Sequence, residues 1–367
     1  MTDVTAVTRD SAQRAIDAKT KPLGALGRLE EIAVRLALLQ QTASPTVERA
    51  CVCVFAADHG IVDEGVSAYP RAVTAEMTRN FDRGGAAINV IARANAIDVE
   101  VVDVGVDAEL GALANVRHAK VRRGSRNFLR EPAMTPEELD AALTAGAASA
   151  RAAAEGGIHA IGLGEMGIGN TTSAAALLSA LTRQAATVTV GRGTGITDEA
   201  LARKRAVVGR ALQLYGSRTE ERDARECLRC VGGLELAAIA GAALEAARRR
   251  MVVIADGFIS TVSILCAAAI AADESVELLS AMRAATFFAH RSAERGHSLA
   301  LEACQALLGE SARPLLDLDM RLGEGTGAAL AVPVLRSAAA VMRDMATFAS
   351  AGVSAGDRAT DHSVGSG

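Results

Sequence analysis

Glu324 is a candidate general base because it stands alone between glycines. The segment runs Asp319-Met320-Arg321-Leu322-Gly323-Glu324-Gly325-Thr326-Gly327. Glycine has no Cβ, so this backbone can approach a ligand closely while it presents a single carboxylate. The alternative is that Glu324 only favours the start of the apolar helix predicted from position 328, through the helix dipole. This segment alone does not choose between the two.

Two glycine-rich loops indicate a phosphorylated ligand. Gly164 to Thr172 leaves a predicted strand and opens an apolar helix, so free backbone N–H groups and two hydroxyls can surround a phosphate. Gly191 to Asp198 forms a second loop with Thr197 as candidate N-cap, and Lys204 follows as a possible point charge. The alternatives are loops that only turn the chain and a plain surface lysine. Neither loop is a P-loop or a dinucleotide fingerprint.

Asp58-His59-Gly60 and the following Val66-Ser67-Ala68-Tyr69-Pro70 suit one face of a flat heterocycle, since they combine polar groups with an aromatic ring. A metal site at Asp58-His59 would need further ligands, and no second histidine lies at ligand spacing. An internally hydrogen-bonded turn is the favoured alternative. His290 and His297 show no metal-binding pattern either, so no metal is expected.

Composition favours a small-molecule partner. The 367-residue chain has a formal charge of -4 and a pI near 5.9, which gives no overall attraction to nucleic acid or to an anionic membrane. Aromatic residues are scarce and alanine is abundant, which favours closely packed helices over stacking platforms for bases. The basic stretch from Arg117 to Arg130 is interpreted as a solvated strand and loop.

The cysteines and the N-terminus predict a reduced, cytoplasmic protein. Six cysteines are few for this length, and the first residues lack a charged-then-apolar signal. Cys227 and Cys230 are interpreted as incidental thiols on a helix, because this CxxC has no partner pair. The apolar stretch 251–272 is interrupted by Asp256-Gly257, so it predicts a strand, a turn and a core helix rather than a membrane span.

The order of apolar runs predicts an α/β fold with a mainly parallel, Rossmann-like sheet and crossover helices. Short apolar runs, each followed by a polar or glycine-bearing loop, occupy positions 51–56, 99–104, 158–163, 251–255 and 285–289. Parallel strands gather such loops at their carboxyl ends, so we expect one shared cleft.

Helix signals divide the chain into a large and a small domain. Thr135-Pro136-Glu137-Glu138 forms a capping box with a first-turn proline, and Gly156-Gly157 closes that helix. Both chain ends also show helical patterns. We expect residues 1–45 and 328–353 to form a small helical domain, 46–327 a large catalytic domain, and 354–367 a disordered tail.

Ordered motifs resemble the nicotinate-nucleotide:dimethylbenzimidazole phosphoribosyltransferase family over about Thr20 to Gly352. Thr20-Lys21-Pro22-Leu23-Gly24-Ala25-Leu26-Gly27-Arg28-Leu29-Glu30, Asp58 to Pro70 and Gly84-Gly85-Ala86-Ala87-Ile88-Asn89 begin the match. The later motifs follow in the family's order: Gly164 to Thr172, Gly191 to Gly195, Gly232 to Glu235, Asp256 to Ile259, Ser292 to Glu294 and Arg321 to Gly327.

The resemblance implies transfer of the 5-phosphoribosyl group of nicotinate mononucleotide to 5,6-dimethylbenzimidazole, in cobalamin lower-ligand assembly. Glu324 matches the family's base, and Glu165 would lie near the ribose and assist. A carboxylate in a partly dehydrated pocket suits removal of a weakly acidic ring proton. The leaving pyridinium becomes neutral on departure and needs no acid. No pyrophosphate is expelled, so no metal or other cofactor is expected. A homodimer is implied as well.

The resemblance also implies the residues that hold each substrate. Those that bind the nucleotide are Gly167, Gly169, Asn170, Thr171, Thr172, Gly193, Lys204, Asp256 and Ser292. Those that line the base pocket are Ser67, Tyr69, Glu76, Met166 and Leu322. Glu76 stands where glutamine is expected, and an acid offers a heterocycle different hydrogen bonds from an amide. The acceptor therefore stays open, with another base, or a regulatory nucleotide-binding module without turnover, as the alternatives.

Overall fold

The computed structural model describes residues 6–193, 195, 197–219 and 223–354. Residues 355–367, which make up nearly all of the tail expected to be disordered, lie outside the described residues. Thr194 and Ile196 of the second glycine loop lie outside them as well.

The described residues form eight strands, five of which coincide with the predicted apolar runs of the sequence. The eight are β1 Ala50–Ala57, β2 Asp98–Gly105, β3 Val116–His118, β4 Ala160–Met166, β5 Val252–Ala255, β6 Thr286–Phe288, β7 His290–Arg291 and β8 Leu316–Asp317. The apolar runs did not predict β3, β7 or β8. Every residue of β1 is buried, as expected for a strand covered on both faces. The strand predicted at 158–163 is shifted, because β4 begins at Ala160 and includes Glu165 and Met166, which the sequence had placed in a loop.

The main sheet has six strands in the order β3-β2-β1-β4-β5-β6, and all neighbouring pairs are parallel. From β1 the chain adds β2 and β3 toward one edge of the sheet, and from β4 it adds β5 and β6 toward the other edge. This reversal opens a crevice beyond the carboxyl ends of β1 and β4, where ligands bind in doubly wound folds. The α/β prediction with a mainly parallel sheet is confirmed. A second, two-stranded sheet pairs β7 with β8.

The helices connect the strands and form both chain ends. They are α1 Arg9–Asp17, α2 Arg28–Gln40, α3 Ala72–Asp82, α4 Ala87–Ala94, α5 Pro136–Glu155, α6 Asn170–Thr182, α7 Ala186–Thr189, α8 Asp198–Thr219, α9 Ala224–Val231, α10 Leu234–Arg248, α11 Phe258–Glu274, α12 Val276–Ala285, α13 His297–Leu308, α14 Thr326–Asp344 and α15 Phe348–Ala351. Short 3₁₀ helices occupy Gly60–Glu64 and Gly309–Ala312.

Local capping follows the sequence signals. The Thr135 hydroxyl accepts a hydrogen bond from the Glu138 N–H, and the Glu138 carboxylate accepts one from the Thr135 N–H, so the predicted capping box is confirmed. Gly156 closes α5. Thr197 caps α8 through its hydroxyl, which accepts a hydrogen bond from Ala200 N. The stretch 251–272 forms β5, a turn and α11.

The chain divides into two compact units, Met1–Thr46 with Leu335–Gly367 and Val47–Val334. Within the first unit, a buried ion pair joins Lys21 to Glu30 at 2.9 Å, and Lys19 forms an isolated antiparallel bridge with Thr347. The second unit contains both sheets and all of the candidate site residues. None of the described helices is long and apolar enough to cross a membrane.

Candidate active site

A cavity of about 350 Å³ opens in the larger unit beyond the carboxyl ends of β1, β4 and β5. Its walls come from the loops after those strands, from the start of α6, and from the loop that precedes α14. This is the crevice that the strand order predicts. The volume is within the range of small-molecule sites, about 300–1,000 Å³.

Glu324 projects into this cavity from a strained loop. Its φ is +63°, and Gly323 and Gly325 on either side have φ values of +88° and +87°. Three consecutive residues with positive φ fold the chain tightly, and the glutamate itself bears a cost of roughly 1–2 kcal/mol there. Gly164 of β4 makes the close approach possible, because a Cβ on it would lie 2.6 Å from the Glu324 carbonyl oxygen.

Two contacts hold this loop in place. The backbone N–H of Ile88 donates to Glu324 Oε2 at 3.3 Å. The Asp256 carboxylate accepts hydrogen bonds from Gly325 N at 3.1 Å and from Ala328 N at 3.0 Å, at the start of α14. Asp256 lines the cavity, but its two oxygens are engaged with the backbone that follows Glu324.

Glu165 lies at the end of β4, next to the same loop. Its Oε2 accepts a hydrogen bond from Asn170 Nδ2 of α6. Its Oε1 lies so close to Gly323 that a side chain at that position would not fit. Glu165 and the Glu324 loop are therefore neighbours in the cavity wall.

Burial raises the pKa of both glutamates. For Glu165 burial acts most strongly, followed by the negative charges of Glu235, Asp256 and Glu324, and its pKa lies well above the usual value. For Glu324 burial again raises the pKa most strongly and the charge of Asp256 adds to it, while the hydrogen bond from Ile88 opposes them. A group of carboxyls in a dry site cannot all ionise together, so it can divide the roles of proton donor and acceptor.

Lys204 provides a buried cation on the glycine-lined side of the site. It is 2 % exposed, and its Nζ donates to Thr171 Oγ1 at 2.8 Å. A Cβ on Gly193 would lie 3.1 Å from that hydroxyl and 3.5 Å from Nζ, so the second glycine loop packs directly on the pair. Burial lowers the pKa of Lys204 to about 8, against the effect of Glu294. The alternative of a plain surface lysine is wrong, and the geometry suits an anion.

The apolar part of the lining suits a flat ring. Ser67, Tyr69, Met166 and Leu322 all line the cavity, and so do Val73 and Met77 of α3. Tyr69 and Leu322 are half exposed, at 48 % and 58 %. One rim of the cavity therefore offers hydrophobic contact with a few polar groups, as in many small-molecule sites.

Most of the predicted residues meet in this cavity, but two do not. Those that line it are Glu324, Glu165, Gly167, Gly169, Asn170, Thr171, Gly193, Lys204, Asp256, Ser292, Ser67, Tyr69, Met166 and Leu322. Glu76 is exposed on α3 and is not among the lining residues. Thr172 is buried in α6, and its hydroxyl has no hydrogen-bond partner among the described residues.

The cavity also contains residues that were not predicted. Arg192, Glu294, His290 and Arg321 line it, and each lies within or beside a loop already identified by its glycines or motif. Val73 and Met77 are four residues apart on α3, as expected for two side chains on one helix face, and both line the cavity, whereas Glu76 is exposed. Helical periodicity could have identified that pair.

The histidine segment forms a turn with an internal hydrogen bond, from Val62 N to the His59 carbonyl at 3.2 Å. The His59 side chain contacts distant parts of the chain, since its Nε2 lies 2.6 Å from Glu235 Oε1 and its Nδ1 lies 2.9 Å from Ser173 Oγ. Asp58 accepts a hydrogen bond from Asp107 N at 2.8 Å.

Cys227 and Cys230 are buried on α9, as the helix interpretation expects. Among the described residues, no three histidine, cysteine, aspartate or glutamate side chains are grouped so as to hold a metal ion.

Comparison with known proteins identifies the family. A family model described as phosphoribosyltransferase matches residues 1–353. The nicotinate-nucleotide–dimethylbenzimidazole phosphoribosyltransferase of Cupriavidus necator is 51% identical over 347 residues, which cover 94% of this chain and 95% of the relative. The protein of the same name from Pseudomonas aeruginosa is 51% identical over 346 residues, 94% of each chain.

A solved structure agrees with these relatives. The crystal structure of CobT from Thermus thermophilus superposes with a TM-score of 0.86 at 47% sequence identity, and the match covers 95% of this chain and 99% of that one. Together with the cavity at the carboxyl ends of the sheet and its paired glutamates, these similarities show that the chain belongs to the nicotinate-nucleotide–dimethylbenzimidazole phosphoribosyltransferase family.

Proposed function

We propose that this protein transfers the 5-phosphoribosyl group of nicotinate mononucleotide to 5,6-dimethylbenzimidazole, giving alpha-ribazole 5'-phosphate and nicotinate for cobalamin lower-ligand assembly. One observation carries the proposal. A buried carboxylate with a raised pKa, Glu324, lines the same cavity as a buried cation, Lys204, and an apolar rim. The cavity thus combines a base, a phosphate site and a place for a flat acceptor.

In this proposal the two substrates occupy different walls. Lys204 and Thr171 bind the phosphate of the nucleotide, since a buried ammonium beside a hydroxyl offers charge-assisted hydrogen bonds. Gly167 and Gly169 let the backbone approach the phosphoribosyl group. The acceptor ring lies between Tyr69 and Leu322, whose exposed faces close over it.

The chemical step forms one carbon–nitrogen bond, breaks another and transfers one proton. A ring nitrogen of the acceptor attacks the anomeric carbon from the face opposite nicotinate, which inverts that carbon. The bond to the pyridinium nitrogen breaks, its electron pair neutralises the ring, and nicotinate leaves without needing a proton. The acceptor's ring N–H gives its proton to the Glu324 carboxylate as the new bond forms.

The raised pKa values give the two glutamates different roles. A base with a raised pKa holds a proton more strongly, which favours its transfer from a weakly acidic ring N–H. Glu165 has the more strongly raised pKa of the two, so it keeps its proton and donates a hydrogen bond to a ribose hydroxyl. It thereby positions the sugar without adding a negative charge to the site.

We also propose that the protein acts as a homodimer in the cytoplasm, with residues 1–45 and 328–353 as a small helical domain. The resemblance supports the dimer, and exposed apolar side chains such as Leu23 and Leu318 offer surface for it. All six cysteines are buried, which suits a reducing compartment.

The test is to incubate the protein with nicotinate mononucleotide and 5,6-dimethylbenzimidazole, and to quantify nicotinate and the ribosyl product by NMR. The proposal expects equal amounts of both products, no nicotinate without acceptor, and an α-configured anomeric carbon. Nucleotide binding without turnover would instead support a regulatory binding module. If a purine or a phenol reacts in preference to the benzimidazole, that compound replaces the benzimidazole as the proposed acceptor.

A further inference from the structure

His59 has a fully buried imidazole that makes two hydrogen bonds to distant parts of the chain. Its Nε2 lies 2.6 Å from Glu235 Oε1 and its Nδ1 lies 2.9 Å from Ser173 Oγ. All three residues have no measurable solvent exposure. The mechanism proposed above uses none of them. Burying such polar groups is costly unless they are hydrogen-bonded, as these groups are to one another.

The His59 ring joins three segments of the larger unit by hydrogen bonds. His59 follows β1, Ser173 lies in the first turn of α6, and Glu235 lies in the first turn of α10. The same turn of α6 carries Asn170 and Thr171, which line the cavity. A hydrogen bond to Ser173 therefore fixes the turn that presents those two side chains to a nucleotide.

Two glycines of the first loop pack closely on the segment that contains His59. A Cβ on Gly167 would clash with the Ala57 carbonyl oxygen and lie 3.3 Å from His59 Nε2, and one on Gly169 would lie 2.7 Å from Val62 Cγ2 and 3.2 Å from His59 Cβ. Gly233, just before α10, faces His59 Cε1 so closely that no side chain would fit there. The loop from Gly167 to Gly169 therefore packs on Ala57, His59 and Val62 without room for a side chain at either glycine.

A catalytic relay does not explain this arrangement. The order serine, histidine, carboxylate matches that of hydrolytic triads, but a nucleophile must reach its substrate. None of the three residues lines the cavity, and the Ser173 hydroxyl is enclosed inside the larger unit. Their effect on a substrate must pass through the residues that they hold.

We propose that His59, Glu235 and Ser173 are positioning residues that hold the Gly167–Gly169 loop and the first turn of α6 in the shape that binds the nucleotide. This inference rests on the proposed function and deepens it, since it assigns the three residues to the nucleotide and not to the acceptor. Glu235 has a second influence, because its negative charge helps to raise the pKa of Glu165.

The test compares two buried serines of the same helix. Ser173→Ala removes the hydrogen bond to His59, whereas Ser179→Ala removes a hydrogen bond of 2.6 Å to Thr189, away from the cavity lining. We expect Ser173→Ala to raise the KM for nicotinate mononucleotide about tenfold, the effect of one buried hydrogen bond. Its acceptor KM should change less than about twofold, and Ser179→Ala should change neither KM.

Glu235→Gln provides a second, milder variant. The amide oxygen keeps an acceptor for His59, so the fold should be retained, while the charge near Glu165 disappears. We expect a rise in the nucleotide KM to a value between those of the wild type and of Ser173→Ala. Equal nucleotide KM values for the Ser173 and Ser179 variants, or an equal rise in both substrates' KM, would overturn the inference.

Direct titration of nucleotide binding by calorimetry separates this inference from the proposed function. If the wild type binds nicotinate mononucleotide but shows no transfer, the proposed function fails, and a Kd about tenfold weaker for Ser173→Ala still supports the positioning role. Thermal melting of both serine variants checks that they are folded to a similar extent.

Discussion

The carboxylate of Glu324 accepts a hydrogen bond from the backbone of Ile88, a residue 236 positions earlier in the chain, with 3.3 Å between Oε2 and N. Ile88 lies in the first turn of α4, where free N–H groups and the helix dipole favour a negative charge. Burial acts in the opposite direction and more strongly, so the pKa of Glu324 is raised. The same carboxylate is thus oriented by a helix end and made more basic by burial.

Glu324→Gln should lower kcat by about 10²–10⁴, the usual contribution of a general base, because glutamine can accept the Ile88 hydrogen bond but cannot take a proton. Activity of the wild type should rise with pH as Glu324 loses its proton, with a midpoint above the ordinary glutamate pKa of 4.5, and this rise should be absent from the variant. Steady-state kinetics across the acidic and neutral range checks both. Exposed Glu277→Gln is the control, and an unchanged kcat in Glu324→Gln would remove that residue from the mechanism.

Glu165→Gln should stabilise the fold at alkaline pH. The pKa of Glu165 is raised in the folded protein, so the folded state holds a proton that the unfolded state releases above its ordinary pKa. The contribution of this group to stability is therefore fully present below about pH 4 and is lost as the pH rises through the folded pKa. Thermal melting over a pH series should show a smaller loss for the variant, and parallel curves for the two proteins would contradict this account.

Lys204→Gln should raise the KM for nicotinate mononucleotide by about 10–100-fold, the effect of losing a charged hydrogen bond, with little change in the acceptor KM. The pKa of Lys204 is lowered to about 8, so its charge declines above that pH. The nucleotide KM of the wild type should therefore rise as the pH passes about 8, and that of the variant should stay flat. A variant with the same pH dependence as the wild type would assign the effect to another group.

Gly164→Ala should lower kcat about 10²-fold, although the residue contributes no chemical group, because misplacing a reacting group is costly. The new Cβ would lie 2.6 Å from the Glu324 carbonyl oxygen and 2.7 Å from Gly325 N, so the loop that carries the base must move. Gly209→Ala, in α8 with no atom within 4 Å of its Cβ, is the matched control. It should stabilise the protein by about 0.5–1 kcal/mol and leave kcat unchanged. Full activity in Gly164→Ala would show that the position of this loop is not critical.

Glu76→Gln should change the KM for 5,6-dimethylbenzimidazole less than about twofold, because Glu76 is exposed and does not line the cavity. Met77→Ala, one residue away on the lining face of α3, should raise that KM about tenfold through lost apolar contact. Competition between several acceptor bases with both variants measures the difference. If Glu76→Gln prefers a different acceptor base from the wild type, Glu76 does contribute to recognition of the acceptor.

Local patterns in the sequence predicted five of the strands, the capping box and the shared cleft, because burial, helix capping and strand direction depend on short segments. They did not predict contacts between distant segments. His59 and Glu235 are 176 positions apart, and nothing beside either residue indicates the other. The hydrogen bond from Ile88 to Glu324 was missed for the same reason.

The two predicted site residues that do not reach the cavity were missed for different reasons. The sequence placed Thr172 in a loop before an apolar helix, but α6 begins at Asn170 and Thr172 is buried within it. A boundary error of a few residues is enough to point a side chain in the wrong direction. Glu76 was assigned by resemblance to the family, whereas the residues of α3 that line the cavity are Val73 and Met77.

The all-parallel sheet has a consequence for how the chain acquires its cavity during folding. The central pairing joins Cys51 to Ile161, and parallel neighbours require a crossover connection between them. Helices such as α5 need only local contacts, whereas these pairings must first overcome the entropy of closing long loops. Since the cavity is built on the ends of β1, β4 and β5, a refolding chain gains helical structure early and ligand binding late.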